Sequence, residues 1–579
     1  MKQRTFFSVL AAVVLVLLLS AARGFAGVFA NSPLSLLAGG STANPAAAIF
    51  VPATAPAMVS LLVNPKQLET LGQLATPPKQ RRDIRRYFED LENNLVRAGS
   101  STAMPPAFFD KLAFRSAGLN YRQDIESWLG DEITFAVTGL DIDRDTSNGN
   151  LPGYLLAIAT RSPERSRQFL DVFWQEKATA GAKIISEPYQ GATLIYDAAG
   201  TSWASAVVGQ QFVLFANSPK VLRDAINNVQ VSGLSLNTSK TYRQSLETLT
   251  QPRTLLAFVN LAQLTALKSV DIPVLNSVAR RQEGSFSSNE TLTLALGFNR
   301  SGIKAESALL LPQANLDSAV PSLTGPVGAL TYIPANVGVL SAGTNLAGLW
   351  NTLAGSEDTA LFKLITETIS SGGSRWGIDI GQDIFNSTKG EYAIGLLPNS
   401  GNSSADWIFV AQKSPENAEF IERLDNIATT QGFSVGPVRL GNQEISAWTK
   451  LSASQAEGKA QPVELQAQVR GAHTGVGEYE IFASSLEVIE KALKAKDGEN
   501  ALANNSFRAG IAALPVPNSG YVYLDWGTTQ TVLERQFPIF KLVEVAAAPV
   551  FQHLRSLTLT STGGEAGVRR ADVFVLVGS

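Results

Sequence analysis

Three carboxylates alternate in Asp141-Ile-Asp143-Arg-Asp145, ahead of Asn148-Gly149-Asn150. Closely spaced side-chain oxygens of this kind bind calcium when a loop gathers them. The stretch departs from an EF-hand loop, because Thr146 stands where the sharp-turn glycine belongs and no glutamate closes the loop. Asp141, Asp143 and Asp145 are thus the metal candidate, against the competing account of a polar loop between Val137 and Leu151; no other cofactor is expected. A second set of acids recurs at one spacing, Asp124 with Glu132 and Asp383 with Glu391. Such a pair suits general acid–base work, but an aspartate ahead of a strand is also ordinary turn chemistry. No nucleophile accompanies either pair. The sequence contains no Gly-x-Ser-x-Gly elbow, no P-loop, no Gly-x-Gly-x-x-Gly after a strand and no His-Glu-x-x-His. Its two histidines, His473 and His553, have no counterparts in the N-terminal half and are expected in structural or surface roles. Catalytic residues are not expected, and the chain reads as a non-enzyme.

Composition narrows the classes further. Cysteine is absent, which removes disulfide scaffolds, thiol catalysis and Cys/His zinc clusters. Without Lys2, Arg4 and Arg23 of the N-terminal segment, 44 basic side chains face 50 acidic ones. Nucleic acid, whose binding needs a basic footprint, is therefore not an expected partner. With 45% hydrophobic and 17% charged residues the chain is globular. At 579 residues it is too long for one core.

The elements that must position these residues come twice. Gly209-Gln-Gln-Phe-Val-Leu-Phe-Ala-Asn-Ser-Pro-Lys-Val-Leu-Arg-Asp-Ala-Ile226 corresponds to Gly477-Glu-Tyr-Glu-Ile-Phe-Ala-Ser-Ser-Leu-Glu-Val-Ile-Glu-Lys-Ala-Leu493. Each predicts a strand, a polar turn and an amphipathic helix. Upstream, Gly153–Ala159 and Trp407–Ala411 read as buried strands that end in Ser-Pro-Glu, at Ser162 and Ser414. That tripeptide is helix-start chemistry, with serine as cap and proline at the first position. Gln-Asp-Ile recurs at Gln123 and Gln382, Leu255–Asn260 matches Tyr521–Asp525, and Ile49-Phe-Val-Pro52 resembles Leu330-Thr-Tyr-Ile-Pro334. The predicted fold class is α+β: two tandem homologous domains, each a mainly antiparallel sheet with packed helices, after an N-terminal signal or anchor helix. The expected division is 1–30 signal peptide or transmembrane anchor, 31–46 flexible tether, 47–312 first repeat, 313–325 linker and 326–579 second repeat. The first strand is expected near Ala47–Val51.

Lys2 and Arg4 precede an uncharged apolar run from Phe6 to Ala22. As a helix it would be roughly 26 Å long, and continued to Ala30 it would cross a ~30 Å hydrocarbon core. Ser20-Ala-Ala22 and Val28-Phe-Ala30 also offer small residues for signal cleavage. Either way the body of the chain is expected to be exported, with a membrane as partner through residues 1–30. The basic cluster Lys79–Arg86 is interleaved with acids and reads as a solvated helix face.

The Phe-Val-Pro opening, Gln-Asp-Ile, Ser-Pro-Glu and Phe-Ala-Asn-Ser-Pro-x-x-Leu, in one chain with a short apolar N-terminus, resemble a cyanobacterial domain-of-unknown-function family of large envelope or thylakoid-associated proteins. The similarity covers everything after Ala46 and implies a photosynthetic bacterial host, which would make the Asn237, Asn289 and Asn386 sequons irrelevant. It carries no functional residues with it. The expected function is that of a non-catalytic, membrane-tethered protein in the periplasm or thylakoid lumen, binding or scaffolding a protein partner. Two alternatives stand beside it: a small-ligand or lipid-binding module in a cleft between the repeats, and a hydrolase using the paired acids.

Overall fold

Strands β3 (Gly153–Thr160) and β7 (Phe212–Ala216) are apolar on both faces because a helix covers each face of the sheet where they lie. The computed structural model describes residues 40–62, 127–145, 151–199, 204–265, 290–298, 301–310, 323–348, 384–385, 388–398, 406–454, 464–530, 554–565 and 567–578. Strand side chains alternate between faces. On one face Leu155, Ala157, Phe212, Leu214 and Ala216 pack with Val221, Leu222, Ala225 and Ile226 of α2 (Pro219–Gln230). On the other, Leu156, Ile158, Val213 and Phe215 pack with Phe169, Leu170, Phe173 and Trp174 of α1 (Pro163–Thr179), and with Trp128. Gly209 links β6 (Ala204–Val208) to β7 at φ +59, and its counterpart Gly477 holds φ +55. The tight turn between these strands needs that left-handed backbone, which glycine adopts without steric cost.

The N-terminal half adds β1 (Ala57–Leu61), β2 (Leu129–Gly139), β4 (Ile184–Tyr189), β5 (Ala192–Asp197), β8 (Leu255–Asn260), β9 (Thr291–Phe298) and β10 (Gly302–Leu310), with α3 (Lys240–Glu247) and the short α4 (Leu261–Thr265). Its strands pair antiparallel in the order β4-β5-β6-β7-β3-β2-β1-β8-β9-β10. The C-terminal half contains β11 (Val339–Gly343), β12 (Tyr392–Leu397), β13 (Asp406–Gln412), β14 (Ser434–Leu440), β15 (Gln443–Ser454), β16 (Glu464–Val476), β17 (Tyr479–Ala483), β18 (Tyr521–Asp525), β19 (Leu554–Glu565) and β20 (Val568–Val577), with α5 (Pro415–Thr430), α6 (Leu486–Ala495) and α7 (Asn505–Ala513). Its order is β14-β15-β16-β17-β13-β12-β11-β18-β19-β20. The two orders are the same, strand for strand. β10 then pairs antiparallel with β20 from Gly302 to Leu310, so both halves share one continuous sheet.

The two-sided packing recurs as well. Ile408, Val410, Ile481 and Ala483 pack with Val488, Ile489 and Ala492 of α6, while Phe409, Ala411 and Phe482 pack with Leu424 and Ala428 of α5. Tyr242 meets Phe258 edge-on at 5.1 Å, and Phe507 meets Tyr523 in the same way at 5.2 Å, with the hydroxyl exchanged between helix and strand. Among the described residues the outermost strands are β4 and β14, and each carries a proline, Pro188 and Pro437. Proline lacks the N–H that an edge strand would offer to another chain.

The α+β class agrees with the sequence reading: the molecule is a large, mostly antiparallel sheet carrying helices. Two local expectations need correction. Ala47–Val51 does not open a strand, because Ala46–Ile49 winds as a buried 3-10 turn, as does Gly328–Tyr332. Ser162 occupies the cap position of α1 but its side chain makes no capping bond, whereas Ser218 and Ser485 accept from Lys220 N and Val488 N. The expected signal or anchor segment and most of the linker 313–325 lie outside the described residues. Among those described, no helix is long and apolar enough to cross a membrane.

Candidate functional site

Of the paired acids, Glu132 and Glu391 are described; Asp124 and Asp383 lie outside the described residues. Glu132 accepts from Ala46 N at 2.8 Å, Ala47 N at 2.9 Å and Thr134 Oγ1 at 2.8 Å. Glu391 accepts from Gly328 N at 2.7 Å and from the Tyr479 hydroxyl at 2.6 Å. Each carboxylate therefore satisfies the first free N–H groups of a buried 3-10 turn, which a charged acceptor does well. These glutamates hold the opening turn of each half against its sheet. Asp143 accepts from Asp145 N at 3.0 Å, a local turn, and among the described residues no three acidic or histidine side chains are placed to hold a metal ion.

His553 lies outside the described residues, but His473 on β16 is buried between two acids. Its Nδ1 lies 3.2 Å from Glu480 Oε1 and its Nε2 3.2 Å from Asp425 Oδ1 on α5. Trp448 Nε1 donates to the same Asp425 oxygen at 2.6 Å, and Phe482 stacks on the imidazole at 5.5 Å. Burial pulls the imidazole pKa down, but the hydrogen bond and charge of Glu480, with those of Asp425, outweigh this and hold it above 6.5. Both ring nitrogens are engaged, so the histidine has no free nitrogen to act as a base on a substrate. Register shows the role. His473 opposes Phe482 as Ser205 opposes Phe215, and Ser205 takes a 2.7 Å bond from Trp174 Nε1 on α1. In each half a buried polar link fastens the long helix to the same strand position.

The remaining cluster lies where the halves meet. Glu306 on β10 faces Asp572 on β20 directly across the ladder. Glu306 also opposes Ala295 on β9, and Asp572 opposes Thr560 on β19, so the two acids hold corresponding positions and an exchange of the halves swaps them. They are only 8% and 6% exposed. Lys304 Nζ sits 3.8 Å from Glu306 Oε1 and 3.8 Å from Asp572 Oδ1. These are ion pairs beyond hydrogen-bond length. Glu306 accepts weakly from Gln251 N at 3.2 Å and Thr250 Oγ1 at 3.5 Å. Desolvation pushes the Asp572 carboxyl up to about 7; the Lys304 charge opposes this and the Glu306 charge adds to it. Beside the cluster opens a cavity of about 280 Å³, walled by Pro252, Ala295 and Phe298 of the first half and Ala513 of the second, with Gln251, Lys304 and Glu306 as its polar lining.

Sequence reasoning passed over this cluster. The available signal was a single acid, two residues after a base, in each largely apolar terminal strand, Ile303-Lys304-Ala-Glu306-Ser-Ala-Leu and Arg570-Ala571-Asp572-Val-Phe-Val.

A family model described as a protein of unknown function, DUF3352, matches residues 9–577. The chain belongs to the DUF3352 family. That membership agrees with the resemblance to a family of unknown function and attaches no chemistry to Glu306, Asp572 or Lys304. No curated protein matches the chain. Among solved structures, TP0453 in crystal form I is similar over 48% of this chain and 81% of its own, at 9% identity and a TM-score of 0.23, a likeness too slight to carry an argument.

Proposed function

We propose that this DUF3352 protein is a non-catalytic binding protein, exported and tethered to a membrane through its N-terminal apolar segment, which seats its protein partner at the seam between two duplicated halves. The observation that carries the reading is the Glu306–Asp572 pair: two buried acids at corresponding positions, beside a half-open cavity to which both halves contribute. Buried charge costs several kcal/mol per group unless something compensates it, as order of magnitude. Retaining two acids where the last described strands of the two halves pair is therefore better accounted for by recognition than by stability. The other described candidates are engaged in holding structure: Glu132 and Glu391 cap turns, and His473 links a helix to a strand. Matching strand orders and matching caps support the descent of both halves from one unit. The apolar run Phe6–Ala22 behind Lys2 and Arg4 supports export to the periplasm or thylakoid lumen of a photosynthetic bacterium.

A tagged full-length chain recovered from solubilised membranes should bring down a stoichiometric partner. Ala513→Trp, which fills the cavity, should lose it; equal recovery with both chains rejects the seam as the binding site. A second reading, a small ligand in the seam, is favoured by the cavity itself, which is close to the ~300 Å³ lower end of small-molecule sites. Native mass spectrometry would find that ligand on the wild-type chain and not on Ala513→Trp.

A further inference from the structure

The two nitrogens of His473 each lie 3.2 Å from a carboxylate oxygen, Nδ1 from Glu480 on β17 and Nε2 from Asp425 on α5. An imidazolium has two N–H donors and satisfies both acids, whereas the neutral ring has one and turns a lone pair toward the other. The two acids are not equally able to yield. Glu480 is buried, while the Asp425 side chain is 29% exposed and already accepts from Trp448 Nε1. The single proton of the neutral ring therefore stays toward Glu480, and the repulsion falls on Asp425, which has solvent to turn to. Apolar packing holds α5 less firmly than α1: among the described side chains Leu424 and Ala428 are its buried ones, against Phe169, Leu170, Phe173 and Trp174. The equivalent link in the first half, Trp174 Nε1 to Ser205 Oγ at 2.7 Å, contains no group that titrates near neutral pH.

We infer that protonated His473 latches α5 onto its sheet and that loss of the proton to water releases the helix, a pH switch carried by the second half and absent from the equivalent link of the first. Release uncovers the aromatic floor beneath α5, formed by Phe409, Phe482 and Trp448. Burial pulls the imidazole pKa down, and the hydrogen bonds and charges of Glu480 and Asp425 outweigh it, so the folded value is raised. A base with a raised folded value stabilises in full below its ordinary 6.5, and that stability is lost as pH climbs through the raised value. The latch is thus closed in acid and open in base. The other charges near it are Glu419, Glu422 and Arg423 on α5, Glu444 on β15 facing Arg439 on β14, and Lys413, which donates to Gly477 O. All six are exposed, which leaves His473 as the titrating link between helix and sheet.

Hydrogen exchange of the full chain in detergent, read by mass spectrometry on peptides from α5 and α1 and corrected for intrinsic rates, tests this. Taking α1 as the reference cancels any pH effect on the whole fold. Relative to α1, wild-type α5 should lose protection at least about tenfold between about pH 5.5 and about pH 9. Asp425→Asn sets an amide N–H opposite the neutral ring and should lose none as pH rises. His473→Gln, whose amide neither gains nor loses a proton, should also give a flat profile. Where His473→Gln does not fold, the wild type and Asp425→Asn decide between them. A flat wild-type profile, or a fall of wild-type size that survives in Asp425→Asn or in His473→Gln, overturns the inference.

Discussion

Asp572→Asn separates the charge of the seam from its shape, because the amide keeps the carboxyl's size and cannot ionise. Burial raises the folded-state carboxyl from its ordinary 3.8 to about 7. A raised acid contributes stability that is complete below the unfolded value and is lost as pH climbs through the folded one. The loss thus falls between about pH 4 and about pH 7. From about pH 5 to about pH 8 the linkage relation gives roughly 2.5 kcal/mol, which the wild-type chain loses and the asparagine variant does not. In a chain of this size that is about 2 °C of melting temperature. Urea unfolding of both proteins at the two pH values reads the difference directly. Asparagine should gain on wild type by that amount as pH rises. Parallel pH profiles would show that Asp572 is ionised without cost, and the account of the seam as a costly buried pair would fail.

Three further perturbations follow from the structure. Glu132→Ala strands the N–H groups of Ala46 and Ala47 and should cost about 2–4 kcal/mol in urea unfolding; loss of an enzymatic activity at unchanged stability would instead favour the hydrolase alternative. His473→Gln should be less stable than wild type below about pH 6.5, by about 1–3 kcal/mol, with the gap closing as pH rises through the raised histidine value; a gap that widens with pH contradicts the ion-paired assignment. Pro188→Val with Pro437→Val restores an N–H to each edge strand and should shift the chain toward dimers and larger species in light scattering; an unchanged size distribution contradicts an edge-guarding role for the prolines.

Much of the fold is legible in the sequence because its signals are local. Phe215 and Phe482, Val221 and Val488, and Ala225 and Ala492 recur at strand and helix spacings, and the structure puts each pair in corresponding cores. The Ala47–Val51 run misleads because a short apolar run has no period to separate a strand from a buried turn. What decides it is a carboxylate about eighty residues away, Glu132. His473 reads as isolated for a similar reason, since its acids come from a helix and a neighbouring strand. The seam is least legible. Glu306 and Asp572 meet only because the last strand of one half pairs with the last strand of the other, a register that no local pattern encodes.

The central claim is that the seam is where this protein binds. A photoreactive amino acid replacing Phe298, a wall of the cavity, tests it most directly in the cell that makes the protein. Irradiation should give one discrete adduct from position 298 and none from the same residue placed at Val172, an exposed position on α1. Identical adducts from both positions, or none from position 298, would contradict the claim.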